Sequence, residues 1–262
     1  MIEVELTDRV LCIRLNRPEQ RNALNLDTCR ELVAAFDRAD ADSAVGSVLL
    51  QGKGSHFCSG MDLAEVLSAD QNALADIHER LFTTIFRARK PIVAAIHVAA
   101  IAAGVGLAAN AHFVVAAPDA RFALTEIRIG LWPLMVFRSV ARAVGERRAT
   151  ELSLSGRTFS TDEAFAYGLV TEIAADPLKQ GTEIARQLAG LSSVANATGL
   201  EYVNRTRDLS VKAAAPIARE LRTGLMASED FAEGVRAFLE KRAAVWPSLK
   251  GADTGNGGTA GA

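Results

Sequence analysis

The first part of the chain changes from an alternating to a helical spacing of its apolar residues. Residues 2–15 form two alternating runs that meet at Thr7 and Asp8, and this pattern predicts a β-hairpin. The polar stretch 16–25 predicts a loop. From Leu26 onward apolar side chains recur every three to four positions, which predicts an amphipathic helix that faces a core.

Three short apolar runs further along the chain predict buried strands. They are bounded by glycine, proline or polar residues and cover 46–52, 91–96 and 112–118. A glycine-rich loop follows the first run, and residues 106–111 predict a short helix. Strands that alternate with helices in this way predict an α/β fold in which helices lie outside β-rich units.

Helical patterns dominate the chain after Thr125. Ser160 and Glu163 have the spacing of a capping box, which predicts the start of a helix, and a strand is predicted at 169–174. From 176 to 241 only helical periodicity remains. The last third of the chain is therefore predicted to be mostly helical.

The stretch 91–118 has no Asp, Glu, Lys or Arg and is long enough to cross a bilayer, which needs about 20 apolar residues. However, it is rich in alanine, and His97, Asn110 and His112 would each need a polar partner in lipid. We therefore expect a tightly packed buried segment at this place and no membrane span.

The composition is that of a soluble domain. The 262 residues are 49% hydrophobic and 23% charged with a net charge of −2, so the chain can bury one large core and has no basic run for a nucleic-acid partner. Cys12, Cys29 and Cys58 have neither the spacing of a zinc site nor the even number of a disulfide framework. We expect no metal site, and the lack of a signal-peptide pattern in the first residues predicts a cytoplasmic protein.

Three local motifs indicate chemistry but fit their templates poorly. Residues 104–109, "GVGLAA", fit the dinucleotide pattern G-x-G-x-x-A, yet the first glycine does not end a strand, so a dehydrogenase is disfavoured. The lysine in 52–55 is not followed directly by the Ser or Thr of a phosphate-binding loop. Cys58 and Ser59 lie near His56 but lack the sequence pattern of a catalytic nucleophile.

Glu126 is surrounded by apolar residues in the segment "RFALTEIRIGLWP". A carboxylate in such surroundings either pairs with an arginine, for which Arg121 and Arg128 are near, or has a raised pKa suited to acid–base catalysis. A position in the first turn of a helix after Thr125 explains it equally well. The residues alone leave these alternatives open.

Six segments occur in the order and spacing of one known family, and together they cover nearly the whole chain apart from its last residues. On these segments the chain resembles the crotonase, or enoyl-CoA hydratase/isomerase, superfamily. The segments are "LNRPEQRNAL" (15–24), "FCSGMDL" (57–63), residues 94–117, "ARFALTEIRIGLWP" (120–133), residues 154–173 and residues 229–246.

The resemblance implies a crotonase-like α/β spiral of ββα units with a C-terminal α-helical oligomerisation region. The spiral core with the acyl-CoA site is expected over 1–195, and the helical region, expected over 196–250, would close a homotrimer or homohexamer. The remaining residues, 251–262, are rich in glycine and are predicted to be disordered.

The chemistry that the resemblance implies is an oxyanion hole, in which two backbone N–H groups bind the thioester carbonyl of an acyl-CoA and stabilise the enolate. By position these donors are Met61 and Ala103, and the small residues around Ala103 let a ligand approach the backbone. Hydratases of the family also use two glutamates. Glu126 matches one of them, whereas Gly106 stands where the other is expected.

These matches favour an enoyl-CoA hydratase. The alternatives are a Δ3,Δ2-enoyl-CoA isomerase with Glu126 as its sole acid/base, and a catalytically reduced module that only binds an acyl-CoA. Coenzyme A enters as part of the thioester substrate, and no separate cofactor is expected. The residues that match the family's coenzyme A contacts are Arg21, Ala23, Ser59, Asp62, Leu63 and Lys241.

Overall fold

The computed structural model describes residues 1–249, so the predicted tail at 251–262 lies outside the described residues. Its main sheet has six strands in the order β1-β2-β3-β4-β6-β9; the first pair is antiparallel and the others are parallel. These strands are β1 (Ile2–Thr7), β2 (Val10–Leu15), β3 (Ser47–Gly52), β4 (Ile92–Ile96), β6 (Phe113–Ala116) and β9 (Glu172–Ile173).

The predicted hairpin is confirmed, because β1 and β2 pair up to Thr7 and Val10. Its turn consists of Asp8 and Arg9, whose φ values are 50° and 64°. Two successive left-handed residues match the twist of the strands in a two-residue hairpin turn. The turn therefore lies one residue later than the predicted junction at Thr7 and Asp8.

A second sheet of three short strands was not predicted. It has the order β5-β7-β8, with β5 parallel to β7 and β7 antiparallel to β8. Three residues are too few for a period of two to be recognised in a sequence. The strands are β5 (Ala99–Ile101), β7 (Arg121–Ala123) and β8 (Thr158–Ser160).

Helices cover the main sheet and form the C-terminal region. They are α1 (Leu26–Ala41), α2 (Leu63–Val66), α3 (Gln71–Phe82), α4 (Ala103–Ala109), α5 (Leu134–Val144), α6 (Glu146–Ser155), α7 (Thr161–Tyr167), α8 (Pro177–Ala189), α9 (Ser193–Thr206), α10 (Val211–Met226) and α11 (Glu229–Glu240). The predicted capping box at the start of α7 is present. The short helix predicted over 106–111 begins three residues earlier, at Ala103.

The uncharged stretch 91–118 forms β4, β5, α4 and β6, and most of its residues are buried, as predicted. Side chains of β4 alternate between two apolar layers. Ala94 and Ile96 belong to the larger core, whereas Val93 and Ala95 pack in a smaller layer with buried residues of α8. Within residues 1–249 no helix is long and apolar enough to span a bilayer.

The C-terminal helices α9 to α11 bury few of their side chains and expose large apolar ones. Val211 is 90% exposed, Phe238 83% and Leu239 74%. Position 195 lies inside α9, so the predicted limit between core and helical region does not coincide with the end of an element. That division, the homotrimer or homohexamer and the cytoplasmic location stay predictions.

Candidate active site

A largely apolar cavity of about 270 Å³ lies between α3, the start of α4 and the segment that leads into α5. Met61 and Ala103, the two predicted oxyanion donors, both line it. In the described chain it has two titratable side chains on its wall, Glu126 and His78. The cavity thus brings together the three residues for which the sequence predicted catalysis and adds His78, for which it did not.

The backbone around Met61 leaves its N–H group unpaired. Leu24 and Met61 form an isolated parallel bridge, in which the Leu24 N–H donates to the Gly60 carbonyl (2.8 Å) and the Asp62 N–H donates to the Leu24 carbonyl (2.9 Å). The residue between the two bonded ones turns its own N–H away from the partner strand. Within residues 1–249 the Met61 N–H makes no hydrogen bond.

Ala103 leaves its N–H group unpaired for a different reason. It is the first residue of α4, and N–H groups in the first turn of a helix have no acceptor within the helix. The preceding residue, Ala102, has a φ of 50° and donates its own N–H to the Ala123 carbonyl of β7 (2.7 Å). No group of the described chain accepts a hydrogen bond from the Ala103 N–H.

The two segments that carry these N–H groups lie side by side. The Ile101 N–H donates to the Cys58 carbonyl (2.9 Å), which joins β5 to the loop before Met61. A Cβ atom at Gly60 would lie 3.8 Å from the backbone nitrogen of Ala103. Glycine suits this position because Gly60 has a φ of 104° and a Cβ atom there would lie 3.1 Å from Cβ of Ala102.

The structure also explains why the dinucleotide pattern at 104–109 and the candidate nucleophile Cys58 do not serve those functions. The glycine at 104 lies inside α4, where a Cβ atom would be 2.5 Å from the Cys58 carbonyl oxygen, so it permits close packing and does not form a dinucleotide-binding turn. Cys58 is fully buried, and burial raises the pKa of its thiol to about 12. A thiol that stays protonated is a poor nucleophile.

Glu126 is 7% exposed, and its Oε2 atom has no hydrogen-bond partner within residues 1–249. Within the described chain Glu126 forms no ion pair with Arg121 or Arg128, the two arginines that the sequence offered as partners, because Arg121 donates to two neighbouring backbone carbonyls and Arg128 donates to the Gly156 carbonyl (2.6 Å). Glu126 begins a 3₁₀ turn after Thr125. Burial in the cavity raises the pKa of its carboxyl group.

Neighbouring side chains leave no room for a side chain at Gly106. A Cβ atom there would lie 2.2 Å from Cγ1 of Val136 and 3.1 Å from Cδ1 of Phe82. The second carboxylate of the hydratase pattern is therefore absent, and the space that it would enter is filled.

His78 is the residue that sequence reasoning missed. It lies on α3 and is only 5% exposed, and its Nε2 atom has no hydrogen-bond partner in the described chain. Burial lowers the pKa of its imidazole. Its position four residues after buried Leu74 and four before buried Phe82 is the available signal, because this spacing puts all three on one helix face.

Several predicted coenzyme A contacts lie close together near Met61. The Ser59 N–H donates to the Arg21 carbonyl (3.0 Å), and Arg17 donates to the Ala23 carbonyl (2.5 Å). Arg21 is exposed, whereas Ala23 is buried. The Ser59–Arg21 hydrogen bond holds the loop after β2 against the loop that carries Met61, whereas the Arg17–Ala23 hydrogen bond lies within the loop after β2.

The other predicted coenzyme A contacts differ in their surroundings. Asp62 pairs with Arg17 at 2.8 Å, and Leu63 is half exposed at the start of α2. Lys241 is exposed after the last residue of α11 and does not line the cavity. A role of these residues in coenzyme A binding stays a prediction.

Known proteins are similar to this chain in both fold and sequence. The crystal structure of an enoyl-CoA hydratase from Mycobacterium smegmatis covers 94% of this chain and 98% of its own, with a TM-score of 0.88 and 30% identity. A Rhizobium meliloti protein named probable enoyl-CoA hydratase is 37% identical over 92% of this chain and 95% of its own length. The 2,3-dehydroadipyl-CoA hydratase of Escherichia coli is 32% identical over 95% of this chain and 98% of its own length.

Fold and sequence together identify the kind of protein. The parallel strands that lead into helices define a crotonase-like α/β protein, as the resemblance implied. A family model described as enoyl-CoA hydratase/isomerase matches residues 5–249. The chain belongs to the enoyl-CoA hydratase/isomerase family.

Proposed function

We propose that this protein is an enoyl-CoA hydratase, an enzyme that adds water across the C2=C3 double bond of a 2-enoyl-CoA. Its family and the relatives named as hydratases support this activity. One observation carries the proposal. Met61, Ala103 and Glu126 line one apolar cavity, and two of their backbone N–H groups and one buried carboxyl oxygen have no hydrogen-bond partner within residues 1–249.

The two N–H groups form the proposed oxyanion hole. Met61 and Ala103 donate to the thioester oxygen, whose negative charge grows as water adds to C3. Both donors are held in place by backbone pairing and by the start of α4, so they need no rearrangement during the reaction. Each donor of this kind contributes about 3 kcal/mol to the stabilisation of the transition state.

Glu126 is the proposed acid at C2. Because burial raises its pKa, the protonated form persists to higher pH than it does in an exposed glutamate. This carboxyl group gives its proton to C2 when the enolate collapses. Trp132 and Met135 line the same cavity and surround the acyl chain.

A Δ3,Δ2-enoyl-CoA isomerase is the second candidate, and the absence of a carboxylate at Gly106 favours it. In that reaction Glu126 removes a proton from C2 of a 3-enoyl-CoA and returns it to C4. One carboxyl group is sufficient for this transfer, because no water has to be activated.

Coenzyme A enters as part of the substrate and is proposed to lie along the loops near Met61. The Ser59–Arg21 backbone hydrogen bond and the Arg17–Asp62 ion pair, which join these loops, support such a groove. Its residues are Arg21, Ala23, Ser59, Asp62 and Leu63, with Lys241 contributed by an adjoining subunit. The exposed apolar side chains of α10 and α11 support a homotrimer or homohexamer.

The experiment compares the wild-type protein with Glu126→Gln on a 2-enoyl-CoA and a 3-enoyl-CoA. Hydration that is lost in the variant supports the hydratase, and double-bond migration without hydration supports the isomerase. Tight binding of both esters without turnover would instead indicate a module that only binds an acyl-CoA. Glu163→Gln, in the capping box of α7, controls for the loss of a carboxylate outside the cavity.

A further inference from the structure

Two buried titratable side chains on the cavity wall each have one atom without a partner in the part of the chain that the structure describes. These atoms are Nε2 of His78 and Oε2 of Glu126, and neither makes a hydrogen bond within residues 1–249. His78 is 5% exposed and Glu126 is 7% exposed. Since a buried polar atom without a partner destabilises a fold, two of them on one cavity indicate that a bound molecule completes their hydrogen bonds.

His78 and the position of the absent carboxylate have one neighbouring residue in common. A Cβ atom at Gly106 would lie 3.1 Å from Cδ1 of Phe82. The ring of Phe82 in turn packs against the imidazole of His78, with 5.8 Å between the ring centroids. His78 and Phe82 are one turn apart on α3, so the imidazole and the position of the absent carboxylate share Phe82 as a neighbour.

We propose that His78 is the second proton-transfer residue of this enzyme and replaces the carboxylate that Gly106 cannot provide. The inference rests on the hydratase function proposed above. Nε2 of His78 accepts a proton from the water that attacks C3, while Glu126 donates its proton to C2. A neutral imidazole suits this role, because one of its two ring nitrogens is free to accept a proton.

The surroundings of the two groups support this division of roles. Burial lowers the pKa of His78, so its imidazole is neutral and able to accept a proton at neutral pH. Burial raises the pKa of Glu126, which favours the protonated acid. The same apolar cavity thus provides one base and one acid, the combination that addition of water requires.

The proposed step conserves atoms and charge. The water oxygen forms its bond to C3 as one O–H bond breaks, and that proton goes to Nε2 of His78. The electrons of the C2=C3 bond move toward the thioester oxygen, which the two backbone N–H groups hold. The enolate then takes the proton of Glu126 at C2. Afterwards the imidazolium of His78 loses its proton to solvent water, and the carboxylate of Glu126 takes up a proton from solvent water.

The test compares two reactions of the same cavity. Hydration of a 2-enoyl-CoA needs both side chains, whereas exchange of the C2 protons of a saturated acyl-CoA with D2O needs Glu126 and the oxyanion hole but not His78. We expect His78→Gln to slow hydration by about 100-fold or more and to leave the exchange nearly unchanged. His97→Gln is the matched control, because His97 lies near the surface outside this cavity, and it should change neither rate.

Three results would overturn the inference. Equal hydration rates for His78→Gln and the wild type would show that the imidazole transfers no proton. A parallel loss of hydration and exchange would show that His78 only supports the shape of the cavity. A wild-type protein that exchanges C2 protons but hydrates no 2-enoyl-CoA would overturn the proposed hydratase function as well, so the two failures are distinguishable.

Chemical rescue gives a second readout that packing alone would not move. In His78→Ala, added imidazole should restore hydration in the space left by the side chain. Thiazole has a similar ring but is a much weaker base, so it should not restore the rate. Equal restoration by both compounds would indicate that His78 only fills space, and the inference would then be wrong.

Discussion

Val136 occupies the space beside Gly106, so that a Cβ atom at Gly106 would lie 2.2 Å from Cγ1 of Val136. Gly106 is inside α4 and Val136 is in the first turn of α5, and the two helices pack closely because one of them has no side chain at this point. The close packing of α4 on α5 and the absence of a second carboxylate therefore have the same structural cause.

Gly106→Ala tests this packing. In the interior of a helix the exchange ordinarily stabilises a protein by about 0.5–1 kcal/mol. Here the added methyl group would overlap with Val136, and overpacking costs about 1–3 kcal/mol. We expect a net decrease in the free energy of unfolding, measured by urea denaturation.

Gly224→Ala and Gly199→Ala are the matched controls, because a Cβ atom at either position would have no neighbour within 4 Å. Both lie inside helices and should show the ordinary gain in stability. If Gly106→Ala is as stable as these controls, Val136 does not exclude a side chain at position 106.

The proposed donors at Met61 and Ala103 are backbone N–H groups. We therefore expect kcat to tolerate the loss of a side chain at these positions but not the loss of an N–H group. Met61→Ala keeps its N–H and should retain kcat, while kcat/KM should rise for branched acyl chains because the Met61 side chain lines the cavity. Replacing the amide of Ala103 by an ester removes one N–H and should lower kcat by about 100- to 1,000-fold. An ester variant with normal kcat would contradict the proposed oxyanion hole.

Sequence patterns predicted the parts of the fold that extend over many residues. The alternation in β1 and β2 and the capping box before α7 each involve a full period or a defined pair, and both were confirmed. The second sheet was missed because Ala99–Ile101 is shorter than two periods and is stabilised by a partner that follows about 20 residues later. Tertiary pairing, and not local pattern, makes it a strand.

The candidate site was predictable only in part, for a similar reason. The apolar residues around Glu126 in the sequence indicated burial. That Arg128 does not pair with it follows from a tertiary contact, because Arg128 donates to the Gly156 carbonyl instead. His78 gave a weaker signal, since a histidine on an apolar helix face is usually a core residue. Whether its Nε2 has a partner depends on tertiary packing, which no local pattern contains, and within residues 1–249 it has none.

Glu126→Gln should change how stability depends on pH. Burial raises the pKa of Glu126 in the folded state, so between its ordinary pKa and the raised value the folded protein binds more protons than the unfolded chain. The contribution of the protonated carboxyl group to stability is therefore complete at low pH and is lost as pH rises through the raised pKa. Glutamine does not titrate, so the variant should gain stability relative to the wild type as pH rises.

Urea denaturation at a series of pH values measures this difference. Glu183→Gln on the exposed face of α8 controls for the loss of a carboxylate that the cavity does not enclose. A Glu126→Gln protein whose stability relative to the wild type falls as pH rises would mean that the folded protein favours the ionised carboxylate, and the proposed acid at C2 would be wrong.

Phe238 should hold subunits together if α11 forms the proposed oligomer contact. Phe238 is 83% exposed in the single chain and lies on the same helix stripe as the half-exposed Phe231 and Val235. Burial of one phenylalanine contributes about 1.5–3 kcal/mol, so we expect Phe238→Asp to weaken association at least about tenfold and to shift the protein toward monomers in analytical ultracentrifugation.

Phe165→Asp changes a half-exposed phenylalanine on α7 and should leave the assembly intact. Unchanged association in Phe238→Asp, or dissociation of the Phe165→Asp control, would move the subunit contact away from α11.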